Sequence, residues 1–202
     1  MIYVKDRYNG HHVFIKQERP DSCTIACARM VIFKVTSKQP TEQELRSRSQ
    51  SYPGGYHKNP ATIPGAVATP MARMGLATEH AAGTELGAVQ KLLKSYNIKT
   101  KFYEYNSLNG INNHFSNFVS KPAIVSLEGV FSQGFGHAAM FSKYYPTPYP
   151  GAYVVCDPQF GVKTIHIYDA DMPQYRCTRD LVNGNRAVDV TLRFTGALLQ
   201  VE

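Results

Sequence analysis

The chain has 202 residues, 43% of them hydrophobic, and 22 Lys and Arg against 15 Asp and Glu give it a formal net charge of +7. That size and apolar content fit one domain over residues 1–202 with a substantial core, and they exclude a linker or a disordered tail. No apolar run approaches the roughly 18–20 residues of a membrane span, and Lys and Arg are dispersed singly without a helix-turn-helix, zinc-finger or RNP-like pattern, so neither a membrane span nor a nucleic-acid partner is expected.

Tyr3-Val4 and Val13-Phe14-Ile15 flank an Asn9-Gly10 turn signal, which predicts a short strand or hairpin. Met1–Arg7 lacks the apolar stretch of a secretory signal peptide. The expected location is therefore a cytoplasm, or, if the protein is exported, it leaves by a signal-independent route or is cut from a larger polypeptide. Pro20-Asp21-Ser22 stops extended structure, and Asp21 or Ser22 can cap the next helix. From Cys23 to about Phe33 the residues are apolar nearly all round, the pattern of a buried helix. Thr41-Glu42-Gln43-Glu44 reads as a capping box opening a short polar helix. Residues 49–61 read as a loop rich in Ser, Pro, Gly and Tyr. Ala66, Val67, Pro70, Met71 and Met74 recur at helical spacing up to Gly75. Thr84 can cap a further helix with Leu86, Val89, Leu92 and Leu93 as its stripe. Lys101–Tyr105 reads as a strand, and Ile111, Phe115, Phe118 and Val119 as a helix. The second half changes character. Ala123–Glu128, His137–Tyr144, Ala152–Asp157, Lys163–Tyr168 and Val188–Val201 read as strands punctuated by Gly, Pro and Asn. Helices first and strands later make an α+β arrangement.

The four cysteines, Cys23, Cys27, Cys156 and Cys177, are too few and too scattered for a disulfide scaffold. Cys23 is the informative one, because it sits where a turn gives way to a helix. A helix N-terminus offers partial positive charge and free N–H groups, a setting that lowers a cysteine pKa from about 8.5 toward roughly 3.5–7.5. Gln17, six residues upstream, can donate a hydrogen bond to the oxygen that turns negative during acyl transfer. Gly136-His137 opens one apolar strand and Cys156-Asp157-Pro158 closes another. If these strands are antiparallel neighbours, His137 and Asp157 meet at one end of the sheet. His137 then takes the proton of Cys23 and returns it to a leaving amine. Asp157 fixes the imidazole tautomer. Gln17 and the Cys23 N–H form an oxyanion hole, worth roughly 3–4 kcal/mol per donor. Cys27 and Cys156 read as core residues and Cys177 as part of a loop. The remaining histidines, His11, His12, His57, His80, His114 and His166, lie too far from the cysteines in sequence for a zinc site. No metal and no cofactor is expected. Asp169, Asp171 and Asn185 are weaker competitors for the role of Asp157.

The order Gln17, Cys23, His137, Asp157, with Ala26, Met30, Pro122-Ala123-Ile124 and Asp157-Pro158 around it, resembles the papain-like cysteine peptidases. The likeness is to the C39-like group, the bacteriocin-processing double-glycine type. The segment from Cys23 to Val31 is also similar to the nucleophile helix of AvrRpt2-like bacterial effector proteases. The resemblance spans residues 12–168. It implies a papain-like fold, with an N-terminal helical lobe carrying the nucleophile helix packed on a C-terminal antiparallel β-sheet. It further implies peptide-bond hydrolysis, a protein or peptide substrate and no cofactor. If the chain is a toxin or effector domain, the resemblance implies delivery by a bacterial secretion system into a target-cell cytoplasm, and a cognate immunity or inhibitor protein as well. Thr24 departs from the family, which has glycine after the nucleophile, and residues 169–202 have no counterpart in it. Papain-like folds also host amidases, deamidases and transglutaminases, and inactive modules used for binding, so the substrate is less constrained than the chemistry.

Overall fold

The Asn9-Gly10 signal makes the expected hairpin. The computed structural model describes residues 2–19, 21–56, 84–130, 132–147, 151–166, 172–180 and 187–202. In it β1 (Ile2–Lys5) and β2 (His11–Phe14) pair antiparallel, with Ile2 opposite Phe14. Asn9 turns the chain at φ 61°, the left-handed region that Asn tolerates better than most residues. Helix α1 (Cys23–Thr36) begins at the expected residue and runs one turn longer than its apolar stretch. The extension holds because its polar residues find partners. Lys34 Nζ donates to the Ser142 carbonyl at 3.0 Å and Thr36 Oγ1 to the Ile32 carbonyl at 2.7 Å.

The capping box at Thr41 forms as read. Glu44 N–H donates to Thr41 Oγ1 at 3.1 Å, Thr41 N–H returns to Glu44 Oε2 at 2.6 Å, and α2 (Glu42–Ser49) begins there. Helix α3 (Leu86–Lys94) buries Val89, Leu92 and Leu93. Its cap is Glu85 rather than Thr84. The extended Glu85 supplies its own carbonyl to the Ala88 and Val89 N–H groups. The helix expected over 66–75, the histidines His57 and His80, and the competitors Asp169, Asp171 and Asn185 lie outside the described residues.

The strands β3 (Thr100–Glu104), β4 (Ala123–Gly129), β5 (Ser132–Tyr145), β6 (Ala152–Asp157), β7 (Gly161–His166), β8 (Gln174–Asp180) and β9 (Ala187–Val201) build one antiparallel sheet. Its order is β3-β9-β4-β5-β6-β7, with β8 on the first half of β9. Period-two alternation sends successive residues to opposite faces. Ile124, Ala138, Met140, Cys156 and Leu199 face α1, α2 and α3 in one core. Val125, Ala139, Phe141, Val155 and Leu198 face α4 (Leu108–Asn117) in a second. Phe115 of α4 stacks on Phe141 with centroids 3.8 Å apart. The helices therefore lie on both faces, and the sheet begins with β3, before the C-terminal half.

Strand β8 forms where the sequence reads as loop. Its pattern is short: Tyr175 and Cys177 are buried while Gln174 and Arg176 are exposed, and two arginines dilute its apolar signal. Just beyond the stretch of β9 that pairs with β8, the register of β9 against β4 shifts and Gly196 stands at φ 95°. A Cβ there would sit 1.7 Å from the Tyr105 carbonyl oxygen, so only glycine passes.

A buried polar cluster ties the hairpin to the sheet and to α1. His12 Nε2 is 2.7 Å from Asp6 Oδ2, and His12 Nδ1 is 2.8 Å from Ser142 Oγ. Tyr145 donates to Asp6 Oδ2 at 2.9 Å. Burial, helped by the charges of Lys34 and Lys143, holds the His12 pKa below its ordinary value although Asp6 pulls it up. A neutral folded-state His12 contributes stability above its unfolded pKa of about 6.5, and that contribution is lost as pH falls through the folded value. His12→Ala is therefore expected to lower stability by about 2–3 kcal/mol near pH 7, through two buried partners left unpaired. Below pH 6.5 it is expected to flatten the fall of melting temperature relative to the parent. Melts recorded from pH 7 to pH 5 on both proteins check this.

Candidate active site

The segment between β2 and α1 carries two of the expected residues, and a carboxylate from α2 holds it in shape. Glu42, fully buried, accepts the Glu18 N–H on Oε2 at 2.8 Å. On Oε1 it accepts the Ser22 hydroxyl and Arg46 Nη1, both at 2.5 Å. Glu18 and Ser22 immediately follow Gln17 and precede Cys23, so this one carboxylate fixes the loop from both ends. Asp21, expected as a helix cap, instead accepts the Tyr56 hydroxyl at 3.0 Å. The cap is Ser22, and its side chain makes no bond to the helix N–H groups because it is turned toward Glu42. The first turn of α1 thus keeps its N–H groups for another acceptor.

Glu42 also yields a prediction. In Glu42→Gln the amide must turn its NH₂ either toward the Glu18 N–H or toward Ser22 and Arg46. The Ser22 hydroxyl can give its hydrogen to the Arg19 carbonyl and accept, but the Glu18 N–H in one direction and Arg46 Nη1 in the other set donor against donor. A stability loss of about 1–3 kcal/mol is expected, with a larger fractional loss of Cys23 reactivity than the unfolded fraction explains. Thermal unfolding and thiol alkylation on the same sample measure both.

Cys23 opens α1 half-buried, and its Sγ lies 3.8 Å from Thr24 Oγ1. Thr24 is buried within regular helix, so no glycine is required there for backbone reasons. His137 comes from β5 and Asp157 from the end of β6. These strands are antiparallel neighbours with Met140 opposite Cys156. His137 Nε2 donates to Asp157 Oδ1 at 2.9 Å. The Cys23 side chain is near enough to the imidazole to help raise the His137 pKa. The Phe160 ring meets the imidazole edge to face, centroids 5.8 Å apart. Gln17 is half-buried, and its N–H donates to the Pro158 carbonyl at 3.0 Å, one residue past Asp157. Cys23, His137, Asp157 and the Gln17 backbone are thus brought together where β6 ends. His137 does not open its strand as expected but lies inside β5, which starts at Ser132 and stays paired with β4 beyond it.

Asp157 is fully buried and strongly held. Oδ1 accepts the Gln159 and Phe160 N–H groups at 2.8 and 3.0 Å besides His137. Oδ2 accepts the hydroxyl of Tyr175. Burial pushes the carboxyl pKa up, but His137 and these donors outweigh it and hold the value below the ordinary one. Burial likewise pushes the His137 pKa down. The Asp157 charge, with its hydrogen bond and the Cys23 sulfur, overrides that and holds it well above the ordinary value. Both the Asp157 carboxylate and the Cys23 sulfur therefore favour the charged form of the imidazole.

Tyr175 escaped the sequence reading. The signal that could have found it is the alternation of β8, which turns Tyr175 inward. The other cysteines stand apart from this arrangement. Cys27 and Cys156 are in the α1-side core, with burial pushing the first well up and the second up to about 12. Cys177 lies in β8 and not in a loop, its Sγ 3.4 Å from the Val190 carbonyl. His114 is held between Tyr105 and Gln200, at 3.0 Å from each. No cluster of three metal-ligating side chains occurs among the described residues.

Solved structures share this architecture. The peptidase domain of Streptococcus ComA, a bi-functional ABC transporter involved in quorum sensing, superposes with a TM-score of 0.54 at 12% identity, covering 95% of this chain and 98% of that one. A double-glycine-motif protease from an AMS/PCAT transporter, solved with its leader peptide, gives 0.50 at 15% identity and covers both chains fully. The fold is papain-like. No family model matches the sequence, and no curated protein matches it. The papain-like fold accounts for the sheet carrying His137 and Asp157 against a helix that starts at the cysteine. No helix among the described residues is long and apolar enough to cross a membrane.

Proposed function

We propose that this papain-like chain is a cysteine peptidase cleaving peptide bonds through Cys23, His137 and Asp157. The observation that carries the reading is His137, buried between the Asp157 carboxylate and the Cys23 side chain at the first residue of α1. The Cys23 thiolate attacks the scissile carbonyl, and the carbonyl oxygen takes up the negative charge. The Cys23 N–H and the Gln17 side-chain amide donate to that oxygen. His137 gives its proton to the leaving amine, which departs and leaves a thioester on Cys23. A water then loses a proton to His137 and attacks the thioester, releasing the acid and restoring the thiolate–imidazolium pair. Asp157 keeps the imidazole oriented throughout and favours its cationic form before the proton is given up and after it is regained.

The substrate class is a peptide lying across the N-terminus of α1. Peptides carrying a Gly-Gly pair are the first to try, because one of the similar structures is a double-glycine protease. Incubation with such peptides and with an unfolded protein, read by mass spectrometry, tests the reading. Two fragments that disappear with Cys23→Ala support hydrolysis. A gain of about one mass unit with the chain intact identifies a deamidase instead, and a Cys23 that alkylates no faster than a free thiol near pH 6 identifies a binding module. A bacterial effector or toxin role rests on the likeness of the α1 sequence to effector proteases. An immunity protein encoded beside the gene, binding this chain and blocking its alkylation, is the test of that role.

A further inference from the structure

Strand β8, masked in the sequence by its arginines, delivers a side chain to the site. Tyr175 sits on β8, 18 residues beyond Asp157, and is buried with only 8% exposure. Pairing of Tyr175 with Leu192 of β9 sets its height, and alternation along β8 turns it inward beside Cys177. Its hydroxyl donates to Oδ2, the oxygen of Asp157 that His137 does not use. The carboxylate is thereby held at both oxygens, by the Gln159 and Phe160 N–H groups on one and by Tyr175 on the other. A carboxylate held only at Oδ1 could swing about its Cβ–Cγ bond and take the imidazole with it. Held at both, it presents Oδ1 to His137 in one orientation.

We propose that Tyr175 is a positioning residue of the catalytic relay, the hydroxyl that fixes Asp157 and so aims His137 at Cys23. The inference rests on the peptidase reading above and adds to it a member supplied by residues 172–202. Tyr175 touches neither the substrate nor the reacting sulfur. It acts through Asp157 in two ways, by geometry and by drawing charge from the carboxylate. Without the hydroxyl, more negative charge faces His137 and the imidazolium loses its proton at higher pH. A hydroxyl that merely completes the packing of the second core would have no such effect.

The experiment follows the rate of iodoacetamide labelling at Cys23 from about pH 4 to pH 10, located by peptide mass. On the peptidase reading the parent profile carries an alkaline limb where His137 loses its proton. In Tyr175→Phe the alkaline limb is expected to move up by about 0.5–1 pH unit, the share of one donor when two or three donors depress a carboxyl by about two units. Peptide turnover is expected to fall in kcat with little change in KM, because orientation is lost and not binding. A second variant carries 3-fluorotyrosine at position 175. It keeps ring and hydroxyl, folds as the parent does, and donates more strongly, so its alkaline limb is expected to move down. Profiles that superpose on the parent's for the fluorinated protein, or for a folded Tyr175→Phe, overturn the inference and leave the peptidase reading standing. A parent Cys23 that labels no faster than a free thiol overturns both.

Discussion

Cys23→Ala is expected to abolish peptide cleavage, to below one part in about 10³ of the parent rate, and to leave the melting temperature within a few degrees. The size of the loss follows from covalent catalysis. The variant cannot form the thioester, and what stays behind is the oxyanion hole and binding, which alone give roughly 10³–10⁴-fold over water against a far larger total. The small effect on stability follows from position. Cys23 is half-buried at the first residue of α1, whereas Ile25, Ala26, Cys27 and Ala28 behind it carry the packing. One further consequence sets Cys23 apart from an ordinary thiol. His137 is held well above its usual pKa partly by the sulfur itself, so removing the sulfur brings the imidazole down. In Cys23→Ala the His137 ring resonances, followed by NMR, titrate at lower pH than in the parent. Rapid alkylation by iodoacetamide near pH 6 disappears in the same variant, since Cys27 and Cys156 are buried with thiols pushed up. Residual cleavage at a tenth of the parent rate would place the nucleophile elsewhere.

The parts of this site that are legible in the sequence are those where local chemistry and position coincide. Cys23 is visible because a turn, a cap residue and an apolar helix meet there. Asp157 is visible because it sits at a strand end, and His137 because Gly136 and the apolar run after it mark a strand, although that strand starts earlier, at Ser132, and His137 lies inside it. The supports are not visible. Glu42 looks like the first turn of a polar helix, and its capping box is plain, yet nothing local says that its side chain is buried against Glu18 and Ser22. Tyr175 lies in a stretch whose arginines mask a two-residue alternation. Both act across long sequence separations, 24 residues between Glu42 and Glu18 and 18 between Tyr175 and Asp157. The cap differs from expectation for a related reason. Asp21 and Ser22 have the right chemistry to cap α1, but tertiary partners, Tyr56 and Glu42, claim their side chains first. That diversion leaves the helix N-terminus open where an oxyanion would sit. A fold whose sheet is covered on both faces is also harder to read than one with a helical lobe on one side. Phe115 and its neighbours in α4 give the same periodic signal whichever face they cover.

Asp157→Asn and Asp157→Ala are expected to behave very differently, and the four donors around the carboxylate give the reason. An asparagine can direct its carbonyl oxygen to the Oδ1 position, where His137 Nε2 and the Gln159 and Phe160 N–H groups all donate. Its NH₂ then occupies the Oδ2 position, facing Tyr175, and the phenol oxygen has a lone pair free to accept it. The geometry survives and only the charge is lost. A hydrogen bond to a charged group contributes about 1.5–3 kcal/mol, roughly twice the neutral bond that replaces it, so about 0.75–1.5 kcal/mol is lost and kcat/KM falls roughly 4–13-fold at tenfold per 1.36 kcal/mol. The pH profile moves too, and its sign is set by His137. Its raised pKa depends on the Asp157 charge working against burial. With that charge gone burial prevails, the imidazolium loses its proton at lower pH, and the alkaline limb of Cys23 alkylation moves down. Alanine removes the acceptor altogether. It leaves the Tyr175 hydroxyl, the His137 N–H and two backbone N–H groups facing a cavity, and breaking a buried pair in this way costs about 3–5 kcal/mol of stability. Loss of the orienting group lowers kcat/KM by roughly 10³–10⁴. Steady-state kinetics, the alkylation profile and thermal melts on the two variants separate charge from geometry. Equal losses for Asn and Ala would mean that the charge alone matters and that the network of donors around Asp157 contributes nothing to the reaction.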